Sequence, residues 1–137
     1  MKIGIVDGQG GGIGRTIVEK LRKSAVITEV IALGTNSTAT MSMLKAGASA
    51  GATGENAIVV NAKKMDIIVG PMAILVANAM MGEITPKIAE AIGDSRAIKL
   101  LIPVNRCGLM IPGLPELKLN DWIDYTVNEI LNRCQEG

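Results

Sequence analysis

Apolar residues along the chain are concentrated in short runs, separated by longer segments with helical spacing. Strands are predicted at residues 3–6, 29–33, 66–69 and 98–102, in which Glu29, Asp66 and Lys99 are the only charged residues. The first of these runs lacks polar alternation, which is typical of a strand that helices cover on both faces. After the first run, the apolar stripe of a helix is formed by Ile13, Ile17, Val18 and Leu21. Strands that alternate with helices predict one three-layer, Rossmann-like α/β domain over residues 1–137, with a mainly parallel sheet of about four to five strands.

The middle of the chain, from residue 35 to residue 56, is rich in small and hydroxylated residues. Within this segment, a short helix is predicted from the apolar residues Met41, Met43 and Leu44. The helix is expected to end near Gly47. Thr53 is placed to cap a further helix. A strand over residues 58–60 is the alternative interpretation of the apolar run that follows.

Residues 72–81 are apolar on nearly every side, which predicts either a core helix or a contact between subunits. Gly82 is expected to end this segment. Thr85 and Pro86 occupy the favoured cap and first-turn positions of the next helix, which Gly93 is expected to close. The sequence therefore predicts a homo-oligomer formed through residues 72–81.

The C-terminal part of the chain combines a turn-rich segment with a long helical pattern. Residues 103–107 are too few for a parallel crossover, so a strand at residues 109–111 that pairs with the preceding one would run antiparallel. Asn120 is predicted to cap the last helix. The apolar stripe of that helix comprises Ile123, Val127, Ile130, Leu131 and Cys134.

Five glycines follow the first predicted strand, namely Gly8, Gly10, Gly11, Gly12 and Gly14. Glycine lets the backbone approach a ligand closely, and the free N–H groups at the start of the next helix attract anions. In both common strand orders of this fold, the first strand borders the switch point where ligands bind. A tight connection alone explains one or two glycines, but each further one costs about 1 kcal/mol in regular structure relative to alanine. The sequence therefore favours a phosphate-binding turn.

The spacing of these glycines excludes two common phosphate-binding motifs. In a G-x-G-x-x-G register that starts at Gly8, the third glycine would fall on Ile13. A P-loop is excluded because no Lys-Ser or Lys-Thr pair follows the glycines.

A wider spacing fits better, because Gly8, Gly12 and Gly14 form the pattern G-x-x-x-G-x-G. Residues 6–15 thereby resemble the cofactor-binding turn of the short-chain dehydrogenase/reductase family. The resemblance implies that these three glycines shape the turn. It also implies that an adenosine-pyrophosphate group lies near Gln9, Gly11 and Ile13.

The chain departs from that family at three places. The family's Tyr-x-x-x-Lys pair is missing, since Tyr125 is followed at that spacing by Glu129. Asp7 stands where the family usually has threonine, and an acid beside a pyrophosphate needs a cation or a hydrogen-bond donor to offset it. Thr35 and Asn36 are neutral where an NAD site usually offers an acid to the ribose hydroxyls.

The candidate nucleotide site combines the glycine turn with residues that follow the later strands. It comprises Asp7, Gly8, Gln9, Gly10, Gly11, Gly12, Ile13, Gly14, Arg15, Thr35, Asn36, Gly70, Pro71 and Asn105. The resemblance to short-chain dehydrogenases implies NAD or NADP as the candidate cofactor. Thr35 and Asn36 suit either a ribose or a 2′-phosphate, and a different ligand is the alternative. The leading hypothesis is a nucleotide- or dinucleotide-binding protein, a sensor or regulatory subunit, since no residue stands out as catalytic.

Two alternatives remain open. The first is a small enzyme that uses a bound cofactor or a magnesium nucleotide, with Asp7, Glu55 or Asn105 assisting. The second is a scaffold protein that self-associates without a ligand.

Two further features have both a functional and a structural interpretation. Residues 51–56 form either a second wall of the site or a helix start, with Glu55 near the positive end of the helix dipole. Arg106 is placed to activate the thiol of Cys107. Because the chain has no histidine to act as a base, an ordinary thiol is the favoured interpretation.

Composition narrows the classes of partner. The 14 basic and 13 acidic residues nearly balance, and Trp122 and Tyr125 are the only aromatic residues, which disfavours nucleic-acid binding. No apolar segment is long enough to cross a bilayer. Without histidine, and with two distant cysteines, the chain offers no zinc-type metal site and no redox motif. The N-terminus lacks a secretory signal pattern, so we expect a cytoplasmic protein.

Over its whole length the chain resembles a family of small bacterial proteins with no established function. Five segments carry this resemblance, at residues 7–14, 32–36, 51–58, 68–71 and 102–105. The resemblance implies a bacterial origin and a common fold, and it implies no activity.

Overall fold

A computed structural model describes residues 1–27, 29–104 and 108–136 of the chain. Five strands form its sheet, namely β1 (Lys2–Asp7), β2 (Glu29–Gly34), β3 (Ala50–Thr53), β4 (Ile67–Pro71) and β5 (Ile98–Ile102). The strand order is β3-β2-β1-β4-β5, and each neighbouring pair is parallel. All five strands therefore end at the same edge of the sheet, and the predicted Rossmann-like fold class is confirmed.

Within the described residues, five helices cover the sheet, namely α1 (Gly12–Leu21), α2 (Ser37–Ala46), α3 (Glu55–Ala62), α4 (Pro86–Asp94) and α5 (Leu119–Glu136). One core cluster joins α1, α2 and α5 to the sheet through Ile17, Met43 and Ile123. A second cluster joins α3 and α4 to it through Ile58 and Ile88. The helices thus form two layers with the sheet between them. No helix in the described part of the chain is both long and apolar enough to span a membrane.

The edge strand β3 is the element that the sequence pattern did not predict. Its residues are small and mostly exposed, and it pairs only with β2, where Ile31 lies opposite Ala50. Small residues have low strand propensity, so pairing with β2 decides this conformation. Thr53 therefore ends a strand, and the prediction that it caps α3 is wrong. Gly54 occupies the cap position, and the helix over residues 58–60 replaces the alternative strand.

Of the two interpretations of residues 72–81, the core helix is wrong. Only Met72–Leu75 forms a short 3-10 turn, and a series of turns follows it to residue 83. Asn78, Met80 and Met81 adopt left-handed backbone angles, with φ of 67°, 55° and 56°, which an α-helix does not accommodate. The segment is apolar because part of it, including Ile74 and Ala79, packs into the second core cluster.

The boundaries of the last two helices differ in how well the sequence predicted them. Thr85 caps α4 as predicted, because its hydroxyl oxygen accepts the N–H of Ile88 at 3.2 Å. Asn120 does not cap α5, since the helix already begins at Leu119 and the Lys118 carbonyl accepts the first helical hydrogen bonds. Residues 108–118 contain no strand in the structure, so the conditional antiparallel strand at 109–111 is absent. The stripe residues of α5 are buried or half-buried as predicted.

Candidate functional site

The glycine turn (residues 8–14) joins β1 to α1 at the edge where all strands end. Asp7, the last residue of β1, is 4% exposed and lies beneath this turn. Its Oδ1 accepts the N–H of Gly8 at 2.8 Å, and its Oδ2 accepts the N–H of Gly14 at 2.7 Å. Burial raises the pKa of Asp7, as does the nearby charge of Glu83, whereas these two hydrogen bonds lower it. The carboxylate of Asp7 thus binds the backbone of the glycine turn from inside the protein.

Three of the five glycines have a reason within the protein. A side chain on Gly8 would meet the hydroxyl of Thr35 at 2.6 Å, together with Met80. Gly11 has a φ of 70°, and a Cβ there would lie 2.8 Å from the Cα of Ala39. A Cβ on Gly14 would meet the sulfur of Met43 at 2.6 Å. Close packing therefore explains Gly8, Gly11 and Gly14 without a ligand.

Gly10 and Gly12 differ from these three. A Cβ on either would meet no atom within 4 Å, and neither has a φ in the left-handed region. Both are exposed. Within the described residues, the N–H groups of Gly10, Gly12 and Ile13 have no hydrogen-bond partner. The surface of the turn therefore offers open space beside three free donors at the start of α1.

A groove of about 540 Å³ lies between α1 and α2 and reaches Gly10. We call it the α1–α2 groove. Besides Gly10, its lining includes the cationic Arg15 and Lys45 and the hydroxyl-bearing Ser37, Thr38 and Ser42. Glu19 also lines it and accepts a hydrogen bond from the Arg15 side chain at 2.9 Å. Because the two cations outnumber the one acid, the groove suits a negatively charged group.

Glu83 lies on the other side of the turn and was missed by the sequence reasoning. It belongs to the β4–α4 loop (residues 76–85), which reaches across the ends of β1 and β2. Its Oε1 accepts hydrogen bonds from the Gln9 N–H at 2.8 Å, the Thr35 hydroxyl at 2.6 Å and the Asn36 amide at 2.9 Å. These three donors lower the pKa of Glu83, against a smaller opposite effect of burial. Its partners are 47 to 74 residues away along the chain, so no local pattern could have found it.

Thr35 and Asn36 have their side-chain donors occupied in this arrangement. Asn36 also donates to the carbonyl oxygen of Gln9 at 3.0 Å, and its Oδ1 caps α2 by accepting the N–H of Ala39 at 2.9 Å. The structure thus brings both predicted residues to the glycine turn, but in contact with Glu83.

The other candidates from the sequence are Gly70, Pro71, Glu55, Asn105 and Cys107. Gly70 is buried, and a Cβ there would lie 2.4 Å from the carbonyl oxygen of Val6, so packing between β1 and β4 requires glycine. Pro71 is buried beside it. Glu55 begins α3 and accepts a hydrogen bond from the hydroxyl of Thr85 at 2.6 Å. Asn105 and Cys107 lie outside the described residues. Among the residues that the structure describes, no group of three or more potential ligands could hold a metal ion.

The family model described as a domain of unknown function, DUF3842, matches residues 2–135. The chain belongs to the DUF3842 family. This confirms the predicted membership of a family without an established function. No curated protein and no solved structure showed a significant match to this DUF3842 chain. The resemblance of its glycine turn to short-chain dehydrogenases gains no support from these comparisons.

Proposed function

We propose that this DUF3842 protein binds a nucleotide or dinucleotide, with a phosphate at the start of α1. One observation carries the proposal. Neither packing nor backbone conformation requires glycine at Gly10 or Gly12. Side chains at these two positions would, however, fill the space beside three free N–H groups. A phosphate in that space would accept these hydrogen bonds and benefit from the helix dipole.

The electrostatics of the two sides of the turn bear on where the phosphate lies. Asp7 opposes an anion at this position, although its charge is already bound by two backbone N–H groups. Arg15 and Lys45 line the adjoining α1–α2 groove. Because the positive charges of Arg15 and Lys45 offset the negative charge of Asp7, we place the phosphate on the side of the turn that faces the α1–α2 groove.

The cofactor class and the role follow from the same features. A turn of spacing G-x-x-x-G-x-G favours NAD or NADP as ligand, by its resemblance to short-chain dehydrogenases. The chain lacks the Tyr-x-x-x-Lys pair of those enzymes, so we propose binding in a sensor or regulatory role.

A thermal-shift panel with NAD, NADP, FAD, ATP, GTP and AMP tests the proposal on the full chain. A ligand at a hundredfold excess over its Kd adds about 2.7 kcal/mol of stability, which is a shift of several degrees. Gly12→Val places a side chain in the proposed phosphate position, and we expect it to weaken binding at least tenfold. Gly93→Val is the matched control, since Gly93 is likewise exposed on a helix without a close contact, but lies in α4.

Two outcomes would contradict the proposal. One is that no compound in the panel shifts the melting temperature of the unsubstituted protein. The other is that Gly12→Val folds normally and binds the nucleotide as tightly as Gly93→Val.

A further inference from the structure

The carboxylate of Glu83 lies beside the glycine turn, next to the place where a nucleotide sugar is expected. In a doubly wound sheet, a nucleotide whose phosphate lies at the end of β1 extends its sugar toward the end of β2. An acid at the end of β2 usually accepts the sugar hydroxyls, but β2 is followed here by Thr35 and Asn36. Glu83 reaches both residues from the β4–α4 loop. An acid from a distant segment thus stands where the strand itself supplies none.

The two oxygens of Glu83 are in different situations. Oε1 accepts all three hydrogen bonds, from Gln9, Thr35 and Asn36. Oε2 has no partner among the described residues. The side chain is half-buried and Oε2 itself is not fully buried, so a ligand can reach this oxygen. The three donors hold the carboxylate in one orientation, which leaves Oε2 as a fixed acceptor for hydroxyl groups.

The same contacts make the position unsuitable for a phosphate. A 2′-phosphate needs hydrogen-bond donors or cations, but the Thr35 hydroxyl already donates to Glu83. The amide of Asn36 donates to Glu83 and to the carbonyl oxygen of Gln9. A phosphate here would meet a carboxylate instead, and like charges in contact strongly disfavour binding.

We propose that Glu83 is the specificity-determining residue of the nucleotide site, which accepts the hydroxyls of an unphosphorylated ribose and excludes a 2′-phosphate. This inference rests on the proposed nucleotide-binding function and selects NAD over NADP within it. Gln9, Thr35 and Asn36 act as positioning residues for the carboxylate. If Glu83 only held the β4–α4 loop in place, it would make the same contacts within the protein. It would then not distinguish a ribose with a 2′-phosphate from one without it.

The test uses isothermal titration of the full chain with matched ligands. The first pair is NAD and NADP, and the second is AMP and adenosine 2′,5′-bisphosphate, which likewise differ by one 2′-phosphate. We expect the phosphorylated member of each pair to bind at least about 100-fold more weakly, because of the like-charge contact. We also expect 2′-deoxy-AMP to bind about tenfold more weakly than AMP, since it lacks the hydroxyl donor.

Glu83→Gln keeps the shape of the side chain and one carbonyl oxygen but removes the charge. We expect this variant to reduce the ratio of the NAD and NADP affinities at least tenfold, mainly because NADP binds more tightly. Glu29→Gln is the matched control, because Glu29 pairs with Lys2 (Oε2 to Nζ, 3.8 Å) at the start of β2, the end of that strand away from Thr35. That control should leave both affinities and their ratio unchanged.

The outcomes separate this inference from the proposed function. Equal affinities for NAD and NADP, or a Glu83→Gln variant that weakens both alike, would overturn the role of Glu83 and leave nucleotide binding intact. If none of the five ligands binds, the proposed function and the role of Glu83 both fail.

Discussion

The Asp7 carboxylate lies beneath the first turn of α1 and uses one oxygen for each of two buried N–H groups, those of Gly8 and Gly14. A negative charge near the start of a helix is stabilised by the helix dipole, which offsets part of the cost of burial. The sequence marked Asp7 as an unexplained acid in a phosphate site. Its contacts give it a structural task, which is to hold the turn in a conformation that exposes Gly10 and Gly12.

Replacing Asp7 by alanine leaves the N–H groups of Gly8 and Gly14 without an acceptor. We expect Asp7→Ala to lower the free energy of unfolding by about 1–3 kcal/mol, since buried donors without partners carry their full desolvation cost. Urea denaturation measures this difference. Asp66→Ala is the control, because Asp66 also accepts a backbone N–H, that of Lys2 at 2.7 Å, but in an exposed position. We expect Asp66→Ala to lower the free energy of unfolding clearly less than Asp7→Ala does.

The same variant has a defined pH dependence. Burial is the main cause of the raised pKa of Asp7 in the folded protein, so the folded state holds its proton more tightly than the unfolded state does. The stability that Asp7 contributes is therefore greatest below its unfolded pKa and declines as the pH rises through the folded pKa. We expect the stability difference between the unsubstituted protein and Asp7→Ala to shrink over that range. A difference that grows with pH would contradict this expectation.

At the scale of elements, the approach of β1 and β4 depends on one residue without a side chain. Gly70 lies in β4, and a Cβ there would come within 2.4 Å of the carbonyl oxygen of Val6 in β1. That contact is with backbone, so the neighbouring strand would have to move. Gly70 thus belongs to the sheet, although its sequence position after an apolar run suggested a binding residue.

Gly70→Ala is expected to destabilise the protein by about 1–3 kcal/mol, as overpacking in a core does. Gly10→Ala is the matched comparison, because its Cβ would meet no atom within 4 Å, and surface changes of this kind usually stay within about 0.5 kcal/mol. Thermal denaturation of both variants measures the contrast. Equal losses of stability would show that Gly10 has a packing role too, and would weaken the case for a ligand beside it.

The elements also show where sequence patterns reach their limit. The start of α4 was predictable because Thr85 and Pro86 act on their immediate neighbours, whereas the prediction that Gly93 ends the helix is wrong, since α4 continues to Asp94. Residues 72–81 carry enough apolar side chains for a buried helix, but apolar content alone does not distinguish a helix from a loop folded onto the core. The reverse holds for β3, whose small residues give no strand signal and become a strand by pairing with β2.

On the scale of the whole molecule, the parallel sheet collects residues from distant segments at one edge. The end of β1 supplies the glycine turn, the end of β2 supplies Thr35 and Asn36, and the β4–α4 loop brings Glu83 to both.

The surface also carries exposed apolar side chains. Met81 in the β4–α4 loop is 96% exposed, and Met110 beyond β5 is 86% exposed.

Self-association through residues 72–81 stays a prediction, for which Met81 supplies the most exposed apolar side chain of that segment. We expect the protein to form a homo-oligomer, and Met81→Ser to shift the equilibrium toward the monomer by loss of apolar contact area. Analytical ultracentrifugation over a range of concentrations measures the shift. Met110→Ser removes an equally apolar side chain elsewhere and should leave the equilibrium unchanged. A monomer at every concentration would rule out the contact.

The sequence by itself determined the properties that depend on neighbours along the chain. Short, mainly apolar runs identified four of the five strands in the described part of the chain, and helical stripes predicted the helix layers, because burial periodicity is local. The glycine spacing located the turn after β1. Only the tertiary structure decided which glycines serve packing and which face open space, since that depends on atoms of other elements such as Ala39 and Met43. It also decided that Glu83 contacts Gln9, Thr35 and Asn36, because folding brings together residues that are far apart in the sequence.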